Sequence, residues 1–407
     1  MGSYITESSR SLHVSGSYDV VVVGGGIAGV AAAIAASRNG VKVCLVEKGY
    51  SLGGLATLGN VVGYLPLCDG MGNQVIKGIG EELLKLSGKD IVKSCKKMSL
   101  DVIPSCWKKG GDKKKRLQQR YQIDFNPTSF MLELETLVIK SGITLYYDTR
   151  FCNVVKNQDM ISAIIIENKS GRSALKCNSV IDASGDADVC ACAGEETVSL
   201  NTNVRCGWYY YTDGSEVKLV KYTKPFDFYG KRIAKSGRSY AGDNAEDVTA
   251  QVIDSRKLMI KQLKELKLRD LNNVIYPVNI PTFPTFRMTR RLKGKYELEE
   301  KDDRIIFEDT IGMTGHWRIK GPIYSIPFRC IKGVATDNLF TAGRCISSGT
   351  TGWDITRTIP ACAVTGEAAG TAAAMANRFD GRISLLDIKS LQNQLIKQKV
   401  IIEVVKS

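Results

Sequence analysis

The run Val20 to Val23 is wholly apolar, follows Asp19, and is cut off at once by Gly24-Gly25-Gly26. A short apolar run bounded by a turn reads as a strand buried on both faces. After Gly24 to Gly29 comes an alanine-rich segment of helical period that ends at Asn39-Gly40, where a glycine can leave a helix. A second apolar run, Val41 to Val46, closes on Glu47. Strand, helix and strand in that order predict one βαβ unit.

Beyond this unit the pattern changes several times. Residues 1–17 are polar and predict an arm or a short extra strand. The segment Leu65–Gly80 leads into a helix over Glu81–Leu86, and the basic excursion at 87–120 predicts a loop insertion or lid. Phe130, Leu134 and Leu137 recur at helical spacing, so Asp124–Lys140 predicts a helix entered at Asn126-Pro127. Short strands follow at Leu145–Tyr147, Thr149–Val155, Ser162–Ile166 and Ser173–Cys177, the last three forming a meander with a turn at Asn168–Gly171. Ser179–Asp182 predicts a further strand ending in the small turn Ala183-Ser184-Gly185-Asp186.

From Asn201 to about Pro322 the composition shifts. Trp208–Tyr211 alternates poorly, Asp247–Leu266 reads as a charged helix, and Phe283–Met288 is strand-like. A closing module then runs through strands at Gly321–Arg329 and Asn338–Cys345, a turn at Thr350–Arg357, and a small-residue helix from Thr358 with Pro360 in its first turn. Leu385–Ile402 predicts an amphipathic helix and a strand-like tail that completes the chain. The expected division is 1–200, the first part of a nucleotide-binding domain; 201–320, a substrate or cap domain; and 321–407, the closing part of the first domain.

The glycines carry the first chemical signal. Gly24 lets the chain turn tightly, Gly26 lets backbone approach a pyrophosphate, and Gly29 lets helix and strand pack closely, with the phosphates on the helix N-terminus. Glu47 stands where a carboxylate accepts ribose hydroxyls and repels a 2′-phosphate. A second pair, Gly53-Gly54, followed by Leu55 and Ala56, offers room for a long ligand to continue over the backbone.

Composition adds limits. The net charge of +14 favours acidic partners or anionic substrates. Much of the excess sits in local runs, at 93–97, 108–120 and 256–269, whose ordinary reading is a solvated face; without interleaved aromatics, nucleic acid is not the expected partner. No run is long and apolar enough to span a bilayer and no secretory signal is evident, so a cytoplasmic location is expected. The 12 cysteines lack a CxxC and there are only two histidines, His13 and His316, so free thiols and no metal site are expected. The Cys190/Cys192 pair is left open as a redox candidate.

The motifs GGGIAGVAAAIAASRNG, LGGLAT, IENKSGR, VIDASGDADV, AGRCISS and RTIPACAVTGEAAGTAAA together resemble the FAD-dependent oxidoreductases of the glutathione-reductase-type Rossmann class. The resemblance implies an α/β fold: a Rossmann-type FAD-binding domain with a three-stranded β-meander insertion, plus an α+β substrate domain. It implies FAD bound by Gly24, Gly26, Ala28, Gly29, Glu47, Lys48, Gly54, Leu55, Ala56, Val154, Ala183, Gly185, Gly343, Arg344, Thr358 and Ile359. Val154 would pass the adenine, and the helix opening at Thr358 and Ile359 would aim its positive end at the flavin. Its flat face would come from Gly366 and Gly370.

Two-electron transfer with a small anionic or carbonyl-bearing metabolite follows, together with a separate electron donor or acceptor and, as a class default, a homodimer. Catalytic candidates are His316, Arg318, Arg287 and Arg357, with Arg290 and Arg291 weighed between anion binding and ion pairs to Glu297, Glu299 or Asp302. Relatives show Ser-x-Thr-His after the Gly-Arg; here Thr350 stands at that histidine position, which turns attention to His316 as acid, base or substrate ligand. Two other classes stay in view, an RNA-modifying flavoenzyme similar to the FAD- and folate-dependent tRNA methyltransferases, and a flavin-binding protein without turnover.

Overall fold

A computed structural model describes residues 5, 9–89, 103–223, 238–269 and 274–403. Its frame is the βαβ unit: β1 (Val14–Val23), α1 (Ile27–Arg38) and β2 (Val43–Val46), with β1 and β2 parallel in the register Val20 to Val43. The segment before Val20 is the front of β1 and runs beside Ala174 to Lys176, so the extra strand expected there is continuous with the first one.

Next come β3 (Gly63–Tyr64), α2 (Gly78–Ser87), β4 (Ile123–Asp124), which pairs with β3, and α3 (Pro127–Lys140). The α3 start is set by Asn126, whose side chain accepts from Thr128 N and Ser129 N while Pro127 takes the first turn, where no N–H is needed. Part of the basic excursion, 90–102, lies outside the described residues. The rest docks: Arg120 Nη1 donates to Trp317 O at 2.6 Å and Lys320 Nζ to Leu117 O at 2.8 Å.

Strands β5 (Thr144–Tyr146), β6 (Arg150–Asn157), β7 (Met160–Asn168) and β8 (Gly171–Asp182) complete the main sheet with β16 (Leu339–Thr341). The order is β5-β2-β1-β8-β7-β6, with β16 also paired to β8. The runs Ser173–Cys177 and Ser179–Asp182 are a single strand, because both halves of β8 pair with β1. Its first half carries the antiparallel meander through β7, and its second half is parallel to β16 from Val180 onward.

Then follow α4 (Asp188–Ala193), β9 (Thr197–Ser199), β10 (Cys206–Thr212), β11 (Val217–Thr223), α5 (Ala245–Arg269), β12 (Tyr276–Asn279), β13 (Arg290–Leu292), β14 (Thr310–Gly315) and β15 (Ile323–Pro327). Strands β11-β10-β12 form a separate antiparallel sheet. The poorly alternating Trp208–Tyr211 has two apolar faces: Tyr209 and Tyr211 pack under α5 with Met259, while Trp208 and Tyr210 lean on the main core. Phe283–Met288 is not a strand. Pro281 and Pro284 have no N–H, Thr282 N and Phe283 N turn to Leu58 O, and Arg287 N and Met288 N go to the Asn203 side chain.

The closing module holds α6 (Thr350–Thr356), α7 (Ile359–Ala376) and α8 (Ile388–Lys397). The expected turn at Thr350–Arg357 is thus a helix. Gly352 reads as a turn residue but serves close packing, since a β-carbon there would stand 1.9 Å from Leu298 O. The strand-like tail is also absent: 398–403 carries no strand, and Val400 and Ile402 are buried in the main core. Helix α7 lies along α1, where Gly370 would place a β-carbon 2.1 Å from Ala32 O. No helix among the described residues is long and apolar enough to cross a membrane.

Candidate functional site

A groove is assembled where β1, β2 and β8 end. At Gly24 φ is +105°, and a β-carbon would sit 2.4 Å from Ala183 O; at Gly29 it would sit 1.8 Å from Gly24 O. Both glycines are therefore required by the protein's own packing. Gly26 differs: a β-carbon there meets nothing within 4 Å. It is the N-cap of α1, no side chain caps that helix, and no acid stands in its first turn. An open backbone cradle at an uncapped, electropositive helix end fits a pyrophosphate.

The second glycine pair presses against the first. Gly53 N donates to Gly25 O at 2.8 Å, Gly53 and Gly26 form a parallel bridge, and Gly54 would place a β-carbon 3.2 Å from Gly26 Cα. Leu55 is half-buried beside it and Ala56 is buried. Glu47 is buried at the end of β2; its Oε2 accepts from Gly25 N at 2.6 Å and its Oε1 from Gly49 N at 2.7 Å. Each carboxylate oxygen keeps a second lone pair, so a ribose hydroxyl can be added without displacing either N–H. Lys48 is exposed, with its Nζ 5.7 Å from the Phe283 ring centroid.

At the other end Ala28, Gly343 and Cys362 converge. Gly343 has φ +70° and would place a β-carbon 2.7 Å from Ala28 Cβ and 3.4 Å from Cys362 Sγ. Arg344 is spent on the protein: Nε donates to Gly185 O and Nη1 to Phe286 O, both at 2.6 Å, while Nη2 meets Asp186 Oδ1 at 2.8 Å. It ties the turn after β8 to the 280s segment, and Gly185, at φ +85°, leaves the room it needs. Thr358 is the N-cap of α7, but its hydroxyl donates to Ile355 O, leaving that helix start without a side-chain cap and Ile359 half-buried. Val154, on the meander strand β6, packs with Tyr146 and Phe151 against the second core.

Beside the α7 start lies a cationic cluster that sequence reasoning found only in part. Asp354, on α6, is fully buried and accepts from Trp317 Nε1 at 2.9 Å, Arg318 Nε at 3.1 Å and Arg357 Nη2. Burial pushes the Asp354 carboxyl up, but Arg357 and Arg318 outweigh it and hold the group below the usual carboxylate range. Burial lowers the Arg357 pKa, Asp354 opposes that, and Arg287 adds to it. The Arg357 Nε is buried with no hydrogen-bond partner among the described residues. Asp354 was missed because 350–357 read as a turn; its signal was the three-residue spacing to Arg357, an acid and base on one helix face.

His316 is buried at the end of β14's neighbourhood, and its Nδ1 accepts from Arg318 N at 3.0 Å and Ile319 N at 3.2 Å. Its Nε2 is 4.0 Å from Glu300 Oε1. Burial pulls its pKa below the usual value, against the pull of Glu300 and Asp354. Arg290 and Arg291 resolve as ion pairs, to Asp188 at 2.6 Å and Glu297 at 2.5 Å; Arg287 contacts Cys206 Sγ at 3.5 Å through Nη2. The Cys190/Cys192 candidate does not assemble, because α4 sends Cys190 into the core and Cys192 to the surface. No metal-holding group occurs among the described residues.

A thioredoxin reductase of Ureaplasma parvum serovar 3 is 36% identical over 83 residues, which span 20% of this chain and 27% of that protein. Among solved structures, a geranylgeranyl bacteriochlorophyll reductase-like protein of Thermoplasma acidophilum aligns over 95% of this chain and 84% of its own, at 14% identity and a TM-score of 0.46. The p-nitrophenol 4-monooxygenase PnpA of Pseudomonas putida aligns over 94% and 85%, at 11% identity and a TM-score of 0.44. The family described as FAD dependent oxidoreductase matches residues 19–204 and 239–395. That match takes in both glycine turns, the Glu47 strand end, the turn after β8 and the α7 start, and the chain belongs to the FAD dependent oxidoreductase family.

Proposed function

We propose that this enzyme transfers two electrons between FAD and a small anionic metabolite held by Arg318 and Arg357. The observation that carries the reading is Arg357. Its Nε is buried without a hydrogen-bond partner among the described residues, burial weakens its hold on its own proton against the pull of Asp354, with Arg287 adding to the loss, and it stands at the uncapped start of α7. A carboxylate or phosphate set there would accept from Nε, offset the crowding of like charge and meet the positive end of the helix.

Bound FAD supplies the hydride chemistry. The chain supplies position and field. Asp354 orients both guanidiniums from below, and Trp317 and Arg120 fix the loop that carries Arg318. His316 acts through Arg318: with Nδ1 accepting two backbone N–H groups, the neutral ring shapes the 316–319 turn. This makes it a positioning residue rather than the acid or base first expected. The glycine turns and Glu47 hold the dinucleotide as described above, and the arm 103–120 screens the Trp317 side of the cluster.

The test is anaerobic mixing of FAD-loaded protein with a panel of carboxylates and phosphate esters and their neutral amides or alcohols, followed by flavin absorbance. An anionic compound should bleach the flavin and its neutral analogue should not. Arg357→Met should weaken apparent substrate affinity at least about tenfold, the worth of one charge-assisted hydrogen bond, with FAD retained. Equal bleaching by the neutral analogue, or unchanged affinity in Arg357→Met, would overturn the reading.

A further inference from the structure

We infer that Phe283, from the 280s segment between β12 and β13, is a cofactor-binding residue that closes over the adenosine end of FAD and fixes the second sheet to the loaded groove. The inference rests on the family's cofactor and not on the choice of substrate. Its starting point is the Glu47–Gly49 turn. A β-carbon on Gly49 would lie 3.2 Å from Glu47 Oε1 and 3.4 Å from Phe283 Cζ. The aromatic edge and the Glu47 carboxylate thus flank the same side of Gly49, where a ribose would be received. Lys48 completes the corner, with its Nζ 5.7 Å from the Phe283 centroid.

The backbone explains why the ring is there. Thr282 N and Phe283 N both donate to Leu58 O, at 2.8 and 3.2 Å. Asn60 Nδ2 reaches Asn279 Oδ1 at 2.8 Å and Trp208 O at 3.2 Å. The segment after the second glycine pair is thus clamped to β12 and β10. Pro281 and Pro284 bracket the aromatic residue and remove the N–H groups that would draw it into a strand. Phe283 is only half-buried, in a chain whose neighbouring Phe286 is 3% exposed. A half-covered aromatic ring beside a ribose acceptor and a lysine is chemically suited to a purine: stacking is tolerant of geometry and each base has a π-face. FMN, which ends at its single phosphate, has no adenosine to bring to this corner.

The experiment titrates apo-protein with FAD, by flavin fluorescence, in the wild type and in Phe283→Ala, Phe283→Leu and Phe283→Tyr. Base stacking on an aromatic side chain is worth a factor on the order of ten or more. The alanine and leucine variants should therefore weaken FAD affinity by at least about that factor, and the tyrosine variant should restore it. Leucine separates stacking from packing, since it fills most of the volume without a π-face, and thermal unfolding of each apo-variant confirms the fold. Affinity for FAD unchanged in alanine and leucine variants overturns the inference; so does full rescue by leucine. A wild-type protein that takes up no FAD at all overturns the cofactor assignment and this inference with it, whereas failure of every anionic substrate leaves the Phe283 outcome readable.

Discussion

A β-carbon on Gly366 would stand 2.2 Å from the carbonyl oxygen of Ala28 and 2.9 Å from Ala31 Cβ. Gly366 lies one helical turn before Gly370 on α7, and Ala28 lies in the first turn of α1, two residues after the open cradle at Gly26. The glycine face of α7 thereby sets how closely the two helices approach, and so where the phosphate-facing turn sits relative to the α7 start.

Gly366→Ala should consequently cost both stability and cofactor affinity. The helix gains intrinsic propensity from alanine, about 1 kcal/mol, but forcing a methyl into backbone costs about 1–3 kcal/mol by overpacking, and the contact atom here cannot rotate away. We expect a net loss of up to about 2 kcal/mol in urea unfolding, together with weaker FAD binding. A variant as stable as wild type would show that α7 slides without consequence.

Glu367, the next residue, predicts a pH dependence. It is buried, its Oε2 accepts from Ile79 N at 2.8 Å at the start of α2, and burial raises its pKa to about 8 from the ordinary 4.5, with the Ile79 N–H and then Arg38 opposing. A folded-state pKa above the unfolded one means that the native chain binds the extra proton. Its contribution is complete below about pH 4.5 and is lost as pH rises toward about 8. Denaturant midpoints across that window should fall with pH in the wild type. Glu367→Gln, which keeps an oxygen for Ile79 N, should flatten the slope and raise stability at pH 8 by at least about 1 kcal/mol. An identical slope in the variant would remove Glu367 as its source.

Much of this architecture was legible because each signal was local. The Val20–Val23 run, the Gly24 to Gly29 spacing and the Asn126-Pro127 helix start state their geometry within a few residues, and β1, α1 and α3 follow it. What was hidden depended on distant partners. Ser173–Cys177 and Ser179–Asp182 look like two strands until β1 is laid beside both. Gly352 looks like a turn until Leu298 is seen against it. His316 stands out in sequence by its rarity and Arg344 by its motif, yet the backbone groups that engage His316 Nδ1 and Arg344 Nε and Nη1 are ones that no periodicity reveals.

Asp354 gives the sharpest separation between folding and function. It is fully buried while Arg318, at 42% side-chain exposure, and Arg357, at 16%, converge on it. Removing the carboxylate leaves Arg357 buried without its counter-charge, and breaking such a pair costs about 3–5 kcal/mol. Asp354→Ala should therefore lower stability on that scale. Asp354→Asn retains an acceptor for one guanidinium and a shape that fits, so it should fold but let Arg318 and Arg357 repel each other and lose their fixed spacing. In that variant FAD affinity should stay near wild type, because the side-chain partners of Asp354 among the described residues are Trp317, Arg318 and Arg357. Substrate-dependent flavin reduction should fall at least about tenfold through weaker substrate binding, a loss of about 1.4 kcal/mol. The pair of readouts is decisive: weakened FAD binding in Asp354→Asn would move the cluster into the cofactor site, and unaltered reduction would leave it a structural knot beside α7.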